Sequence, residues 1–385
     1  MNRIRLGMIG GGSGSFIGAV HRQAAALDGL YELVCGAFSS DAERSRSSGA
    51  ELGLAPSRSY ASFTEMFARE AALPAEQRMQ AVAIVTPNHL HAPATIAAMA
   101  QGFHVILDKP MALSLTEARQ IENAARTSGC QLALTHTYAG YPMVKEARQW
   151  VRTGRLGQLR KILVEYPQGW LSTALEQDGQ KQASWRTDPT RAGAGAIGDI
   201  GTHAAHLAEY VSGQQIQSLC AELNSVVAGR RIDDDATALL RFDQGASGLL
   251  LATQIAAGEE NTLKLRIYGE LGGLEWSHSD PGSLLLKMHD QAVQIHRSGN
   301  AYLSTAAATN CRLPPGHPEG FIEAFANIYR SFARALQNPD ARLDADTADA
   351  GHDFPSIQEG LRGMAFIEAM IASSHSTEKW TPVTL

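Results

Sequence analysis

The sequence predicts an α/β fold, a doubly wound parallel sheet in roughly the first third of the chain, followed by an α+β domain with a mostly antiparallel sheet. Three observations carry this. Short apolar runs at residues 5–9, 31–38, 81–85, 104–107 and 131–134 alternate with helical patterns. Glycines at positions 10, 11, 12, 14 and 18 follow the first run at once. After about residue 136 the chain turns to long alternating stretches joined by short turns such as Asp243-Gln244-Gly245.

Each element has its own signal. The run 5–9 reads as a buried strand that ends in glycines, with a helix expected over 17–27 and a second strand over 31–38. Ser39, Ser40 and Asp41 offer a cap to an Ala/Arg/Glu-rich helix. The run 81–85 stops at Thr86-Pro87-Asn88, and a helix is expected over 92–101. The fourth strand, 104–107, ends in Asp108-Lys109-Pro110. A helix over 116–128, capped by Ser114 or Thr116, precedes the fifth strand. This alternation implies right-handed β-α-β units and a parallel sheet, whose ligands sit beyond the carboxyl ends of the strands. The unusual residues gather there: the glycines, Ser39, Thr86-Pro87-Asn88 and Asp108-Lys109-Pro110.

The two domains are expected at 1–136 and 137–385. In the second, a helix over 143–153 leads to strands at 160–166, 216–227, 236–242, 246–253 and 262–269. Two late helices, over 318–337 and 356–373, are expected to pack on the domains.

Composition narrows the class. The 385 residues suit two domains, and 44% hydrophobic with 19% charged residues is a globular balance. A net charge of −6 argues against nucleic acid as a partner. Cys35, Cys130, Cys220 and Cys311 are far apart with no C-x-x-C pair, which points to reduced thiols in a cytoplasm. No apolar run reaches the ~18 residues of a membrane span. The longest candidate, near 249–257, contains Thr253 and Gln254, and Gly7 and Gly10 interrupt any signal-peptide core. A cytoplasmic enzyme is expected, with neither nucleic acid nor membrane as a partner.

The glycine loop runs Gly10-Gly11-Gly12-Ser13-Gly14-Ser15-Phe16-Ile17-Gly18. Between a first strand and a first helix, such a loop lets the backbone approach a pyrophosphate, and the helix N-terminus supplies free N–H groups. This is the pattern of a Rossmann dinucleotide-binding domain. Gly10, Gly12, Ser13, Gly14, Ser15, Phe16 and Ile17 are candidate cofactor contacts, and Gly18 aligns with the helix-packing glycine. An acid that grips the adenosine ribose of NAD is expected after the second strand. Here Ser39 and Ser40 stand in that place, with Asp41 later and Arg44 beyond. Arg44 could pair with a 2′-phosphate or be a solvated helix residue; NAD is the expected cofactor and NADP stays open.

Lys109 stands at the ligand edge of the fourth strand. Its ammonium can hydrogen-bond a substrate hydroxyl near a nicotinamide; the bland alternative is a surface lysine in a turn. Asp199 and His203 are four residues apart in Gly198-Asp199-Ile200-Gly201-Thr202-His203 and share a face if a helix starts there. A histidine beside a carboxylate is a natural acid–base pair for a hydroxyl proton, while a capping Asp199 and a core-lining His203 are the alternative. Asp199, His203 and His206 also have ligand spacing, but no fourth ligand is evident and no metal is expected. Trp185 and Arg186 are candidates for a substrate wall and hydroxyl donor, or for packing. His317, in the loop before a late helix, either reaches the site or is structural.

Together these segments resemble the glucose–fructose oxidoreductase/inositol dehydrogenase (Gfo/Idh/MocA) family over nearly the whole chain. The glycine turn is followed by His21, and Thr86-Pro87-Asn88-His89-Leu90-His91 is similar to a loop of that family. Asp108-Lys109-Pro110 resembles its E-K-P, with Asp in place of Glu, and Ser184-Trp185-Arg186 and Gly198–His203 resemble its W-R and G-x-x-D-x-x-x-H segments. The resemblance implies a large open sheet in the second domain, and dimers or tetramers formed through it. It implies NAD(P)-linked chemistry at a secondary alcohol of a sugar or cyclitol. Carried over residue by residue, Lys109, Asp199 and His203 form the catalytic set. Thr86, Pro87, Asn88, His91, Asp108 and Lys109 join the cofactor contacts, and Tyr166, Trp185 and Arg186 are substrate candidates; His317 is a substrate candidate on its loop position alone. The long glycine loop and the missing acid after the second strand depart from the pattern.

Three functions are compatible with these residues. The first is a dehydrogenase or reductase acting on an inositol, an aldose or a glycoside. The second is a glycoside hydrolase that oxidises a sugar carbon transiently, eliminates the aglycone and restores its nicotinamide. The third is a sensor that only binds the dinucleotide and does not need Lys109.

Overall fold

The computed structural model describes residues 3–338 and 353–385. In chain order the first elements are β1 (Ile4–Gly10), α1 (Phe16–Leu27), β2 (Tyr31–Ala37), α2 (Ala42–Glu51) and α3 (Phe63–Ala71). They continue with β3 (Ala81–Val85), α4 (His91–Ala100), β4 (His104–Leu107), α5 (Leu115–Ser128) and β5 (Leu132–Leu134). The five strands form one sheet in the order β2-β1-β3-β4-β5, and every pair is parallel. Helices on both faces bury such strands from two sides, and all five residues of β3 are buried accordingly. The strand order reverses beside β1, so the carboxyl ends of β1 and β3 flank the crevice where this fold takes its ligand.

Side-chain caps set where the helices start. Ser15 accepts from the Gly18 N–H at the start of α1, Asp41 from the Arg44 N–H at α2, and Ser62 from the Glu65 N–H at α3. These caps occupy the first-turn N–H groups that have no carbonyl partner within the helix.

The second set of elements begins with α6 (Pro142–Arg152) and β6 (Leu159–Pro167), then the short helices α7 (Lys181–Arg186) and α8 (Pro189–Ala192). A π-helical turn over Ile197–Gly201 runs straight into α9 (Thr202–Ser212). The strands β7 (Ile216–Asn224), β8 (Asp235–Phe242), β9 (Ser247–Thr253), β10 (Lys264–Gly269), β11 (Gly272–Ser277), β12 (Ser283–Met288) and β13 (Gln294–Arg297) follow, with α10 (Thr305–Ala308) behind them. The chain closes with α11 (Phe321–Gln337), α12 (Ile357–Ser374) and β14 (Thr381–Pro382).

The second sheet has nine strands in the order β13-β12-β11-β10-β6-β9-β8-β7-β14. Among the described residues of this sheet only β6 and β9 pair in parallel; the other pairs are antiparallel. In β8, Ala236, Ala238, Leu240 and Phe242 are buried while Thr237, Leu239 and Arg241 face outward, the alternation of a sheet with one solvated face. The expected strand over 216–227 stops earlier, at Asn224. The Val226 and Val227 N–H groups turn instead to the Asp234 carboxylate.

A single cut after residue 136 does not describe the compact units. One unit holds the described residues of 1–112, 116–137 and 321–360; the other holds 113–115, 138–320 and 361–385. The reason is the apolar face of α11. Phe325, Ile328, Tyr329 and Phe332 pack into one core with Met8, Val20, Ala24 and Tyr31 of the parallel-sheet unit. Polar contacts reinforce this: the Tyr31 hydroxyl donates to the Tyr329 carbonyl at 2.8 Å, and His21 Nδ1 lies 2.8 Å from the Tyr329 hydroxyl. Among the described residues, no helix is long and apolar enough to cross a membrane.

Candidate active site

In the parallel-sheet unit the glycine loop leaves β1 with Gly10, Gly11 and Gly14 at φ of 72°, 66° and 78°, the left-handed region that favours glycine. Space constrains the loop as strongly as dihedral angle does. A Cβ on Gly18 would stand 2.3 Å from the Gly11 carbonyl oxygen, so α1 packs flush on the loop. A Cβ on Gly12 would meet Ser48 Oγ at 2.8 Å and the Phe38 carbonyl at 2.9 Å. At Gly14 nothing lies within 4 Å, which leaves the loop open on its outer side. Ser48 accepts from the Ser13 N–H at 3.0 Å, and Arg22 donates to the Gly11 carbonyl. Ser13, Gly14 and Phe16 are exposed, Phe16 at 73%. The Ser13, Ser15 and Gly18 N–H groups are bonded within the protein, while Gly14 and Phe16 are exposed at the N-terminus of α1, the kind of helix end that takes a pyrophosphate.

After β2, Ser39 accepts from the Asp41 N–H at 3.1 Å, and Asp41 spends its carboxylate on capping α2. Ser40 and Arg44 are exposed. After β3, Thr86 and Pro87 are half-buried and Asn88 is buried. His91, expected among the cofactor contacts, is instead fully buried. Its Nδ1 lies 2.7 Å from the Pro110 carbonyl and its Nε2 3.0 Å from the Thr86 carbonyl. It sits between the loop after β3 and the turn after β4, and as a neutral ring it donates to one of these two carbonyls. In that turn the Lys109–Pro110 peptide is cis. Asp108 accepts from the Lys109 N–H and the Thr135 hydroxyl, both at 2.9 Å, and Lys109 is half-buried. Burial pushes His21 down to about 4 and lowers His91, while Asp108 opposes both shifts.

In the second unit the Asp199 carboxylate, half-buried, accepts from Gln254 Nε2 at 2.9 Å and lies 3.3 Å from Arg186 Nε. Gln254 also donates to Gln168 at 3.3 Å. Sheet register puts the two glutamines together. The parallel pair β6 and β9 matches Pro167 with Thr253, and Gln168 and Gln254 are the next residues. The Arg186 guanidinium stacks 4.3 Å over the Trp185 ring, and both side chains bond to Gln182.

His203 is buried, with its ring edge-on to Tyr138 at 5.0 Å. Tyr138 and Tyr166 share a short hydroxyl–hydroxyl hydrogen bond. Tyr166 donates to Asn261 Oδ1 at 2.6 Å, as does Gln168 Nε2, also at 2.6 Å. Burial raises Tyr138 to about 12 and Tyr166 further, so both phenols stay protonated and serve as hydrogen-bonding groups. Tyr166 is thus enclosed behind Asn261 rather than presented at a surface. His278 Nδ1 bonds the Asn261 carbonyl at 2.8 Å and Nε2 lies 3.0 Å from the Tyr141 hydroxyl. Burial lowers His278, so a neutral ring fits, donating through Nδ1 and accepting at Nε2.

The structure brings Asp199, Arg186, Trp185, Tyr166 and His203 into one cluster and leaves His317 outside it. His317 is exposed in the turn before α11, its N–H 3.3 Å from the Pro314 carbonyl. Among the described residues, no group of three or more His, Cys, Asp or Glu could hold a metal ion. Sequence reading missed Gln168, Gln254, Asn261, Tyr138 and His278. For Gln254 there was a signal, a polar residue closing an otherwise apolar strand. For Asn261 and His278 there was none, because their roles depend on loops that meet only in the fold.

A family model described as an oxidoreductase family with an NAD-binding Rossmann fold matches residues 4–136, and one described as a GFO/IDH/MocA C-terminal domain matches residues 144–275. The parallel-sheet unit is an NAD-binding domain of this kind. The chain is 31% identical to an uncharacterized oxidoreductase of Bacillus subtilis, over 98% of this chain and 96% of that protein. It is 27% identical to a levoglucosan dehydrogenase of Pseudarthrobacter phenanthrenivorans, over 78% and 79% respectively. An inositol dehydrogenase homolog from Azotobacter vinelandii, solved with NADH and myo-inositol, superposes with a TM-score of 0.91 at 32% identity, covering 99% of this chain and 98% of that one.

Proposed function

We propose that this chain, which belongs to the Gfo/Idh/MocA family of oxidoreductases, oxidises a secondary alcohol of a sugar or cyclitol, or reduces the matching ketone, with NAD as its partner. The observation that carries the reading is the Asp199 cluster. It combines a carboxylate, an arginine, two glutamines and a buried histidine, enclosed by aromatic rings. Such a set suits a neutral polyol: the carboxylate and amides bind hydroxyls, and Trp185 offers an apolar wall. The relatives solved or named with myo-inositol and levoglucosan support the same class.

When bound, the nicotinamide supplies the two-electron acceptor for the carbon-bound hydrogen. The glycine loop and the N-terminus of α1 would hold its pyrophosphate. His203 takes the alcohol proton, Asp199 orients it or binds a neighbouring hydroxyl, and Lys109 polarises the reacting oxygen. Asp41 is committed to capping α2, so Ser39 and Ser40 are left for the ribose hydroxyls. The protein works in the cytoplasm. Copies associate as dimers or tetramers through the outer face of the nine-stranded sheet. Leu163, Leu249 and Leu239 stand directly opposite one another there, Leu239 and Leu249 being 45% and 37% exposed.

The test is to incubate purified protein with NAD or NADP and a panel of inositols, aldoses and glycosides, following nicotinamide reduction. Turnover with NAD and one cyclic polyol supports the proposal. Release of an aglycone without net reduction would assign a glycoside hydrolase, and cofactor binding without any turnover would assign a sensor. Light scattering during size-exclusion reads the assembly, and a monomer would overturn that part.

A further inference from the structure

Three consecutive backbone N–H groups, those of Gly195, Ala196 and Ile197, all donate to one residue, Asp233. Its Oδ1 accepts from Gly195 at 2.7 Å, its Oδ2 from Ile197 at 2.8 Å, and its carbonyl oxygen from Ala196 at 2.9 Å. These donors open the π-helical turn Ile197–Gly201, where no helical carbonyl is available and the residue before the turn supplies no side-chain cap. The contact is close: a Cβ on Gly195 would stand 1.8 Å from the Asp233 carbonyl oxygen, so no other residue lets the chain lie this flat.

The anchor itself is fixed. Asp233 sits two residues before β8, which pairs with β7 on one side and β9 on the other. Its neighbour Asp234 faces another way, accepting from the Val226 and Val227 N–H groups and from the buried Arg230 at 3.0 Å. From Asp233 the geometry runs directly to the cluster: the Asp199 N–H bonds the Gly195 carbonyl at 2.8 Å, and the turn continues into α9, which carries His203. A π turn adds a residue to the helical repeat, and such turns recur at functional sites because they re-aim side chains.

We infer that Asp233 is a positioning residue, whose carboxylate sets the backbone at 195–197 and thereby the placement of Asp199 and His203. The inference rests on the reading of Asp199 and His203 as the groups that act on substrate. An aspartate can hold two N–H groups through two acceptor oxygens. Asparagine, of the same shape, has one acceptor and would set its NH2 against an amide donor.

The experiment compares D233N with the wild-type protein by steady-state kinetics on the best cyclic polyol, by NADH affinity, and by hydrogen exchange of peptides covering residues 194–203. The expected result is a kcat lowered about 30- to 300-fold, since a misplacement near 1 Å costs on the order of 100-fold. NADH affinity should stay within about threefold, and exchange protection should be lost in 194–203 alone. Wild-type kcat with unchanged protection overturns the inference. Loss of protection across the whole second unit also overturns it, by reducing Asp233 to a general structural role. If D233N does not fold, D233S, which keeps one acceptor, replaces it, and a wild-type kcat there overturns the inference equally. If the wild-type protein turns over no polyol, the proposed function fails on its own. The exchange comparison still decides whether Asp233 holds the turn.

Discussion

Gln254 Nε2 donates to the Asp199 carboxylate at 2.9 Å and to Gln168 Oε1 at 3.3 Å, so one amide group orients the acid and ties it to the end of the neighbouring strand. A hydrogen bond to a charged group contributes about 1.5–3 kcal/mol. Replacing Gln254 with Leu keeps the bulk and removes the donor. The expected outcome is a kcat/KM lowered about 10- to 100-fold and a melting temperature lowered by a few degrees. Steady-state kinetics and a thermal melt check it, and an unchanged kcat/KM would show that Asp199 needs no such support.

Lys109, also a candidate cofactor contact, and His203 are both proposed to act on the reacting alcohol. K109M and H203N are each expected to lower kcat by about 10²- to 10⁴-fold, the span typical of general acid–base groups. NADH affinity, read by fluorescence titration, should stay within about threefold in both. A variant that loses NADH binding and kcat together would belong to cofactor capture instead.

The glycine loop makes two opposite predictions. G18A forces a Cβ against the Gly11 backbone at 2.3 Å, and overpacking of this kind costs about 1–3 kcal/mol. G14A meets no atom within 4 Å but must hold φ near 78°, a penalty of about 1–2 kcal/mol. Both should weaken NAD binding, and only G18A should also disturb the packing of α1, seen as faster hydrogen exchange in 16–27. Equal exchange in the two variants would sink the distinction.

Arg230 is fully buried among the Glu176 and Asp234 carboxylates and the Leu171 and Thr173 carbonyls. Removing one partner of a buried ion pair leaves uncompensated charge and costs about 3–5 kcal/mol. R230M should therefore unfold at markedly lower denaturant concentration. A midpoint equal to wild type in urea would show that the network contributes little.

His21 gives a pH dependence with a definite sign. Its native value is depressed to about 4 from 6.5, so the unfolded chain binds more protons between those values. Its contribution is fully present above pH 6.5 and is lost as pH falls toward 4, by roughly 3 kcal/mol at most. H21N should flatten the slope of unfolding free energy against pH in that window. An identical slope in the variant would mean that other groups carry it.

Much of the first unit was legible because it is built locally. The stretches 81–85 and 104–107 are apolar runs bounded by turn residues, and the observed strands have those same bounds. Helix α3 carries its own local signal, the capping spacing of Ser62 and Glu65 with Phe63, Met66 and Phe67 at helical intervals, and sequence reading missed it. The outer strands β11 to β13 are short, and their alternation is weak without neighbours to define a face.

By itself the sequence determined the alternation of strands and helices, the glycine turn between β1 and α1, and the four-residue interval between Asp199 and His203. Those depend on periodicity, on φ angles that only glycine adopts freely, and on neighbours along the chain. Only the tertiary structure decided that α11 belongs with the parallel sheet, that His91 is buried between the Thr86 and Pro110 carbonyls, and that Gln168, Gln254 and Asn261 converge. It also decided that Asp233 caps the turn bearing Asp199. Apart from the contacts of His91, these are partnerships between residues tens to hundreds of positions apart. Strand register and core packing create them, and no local pattern encodes them.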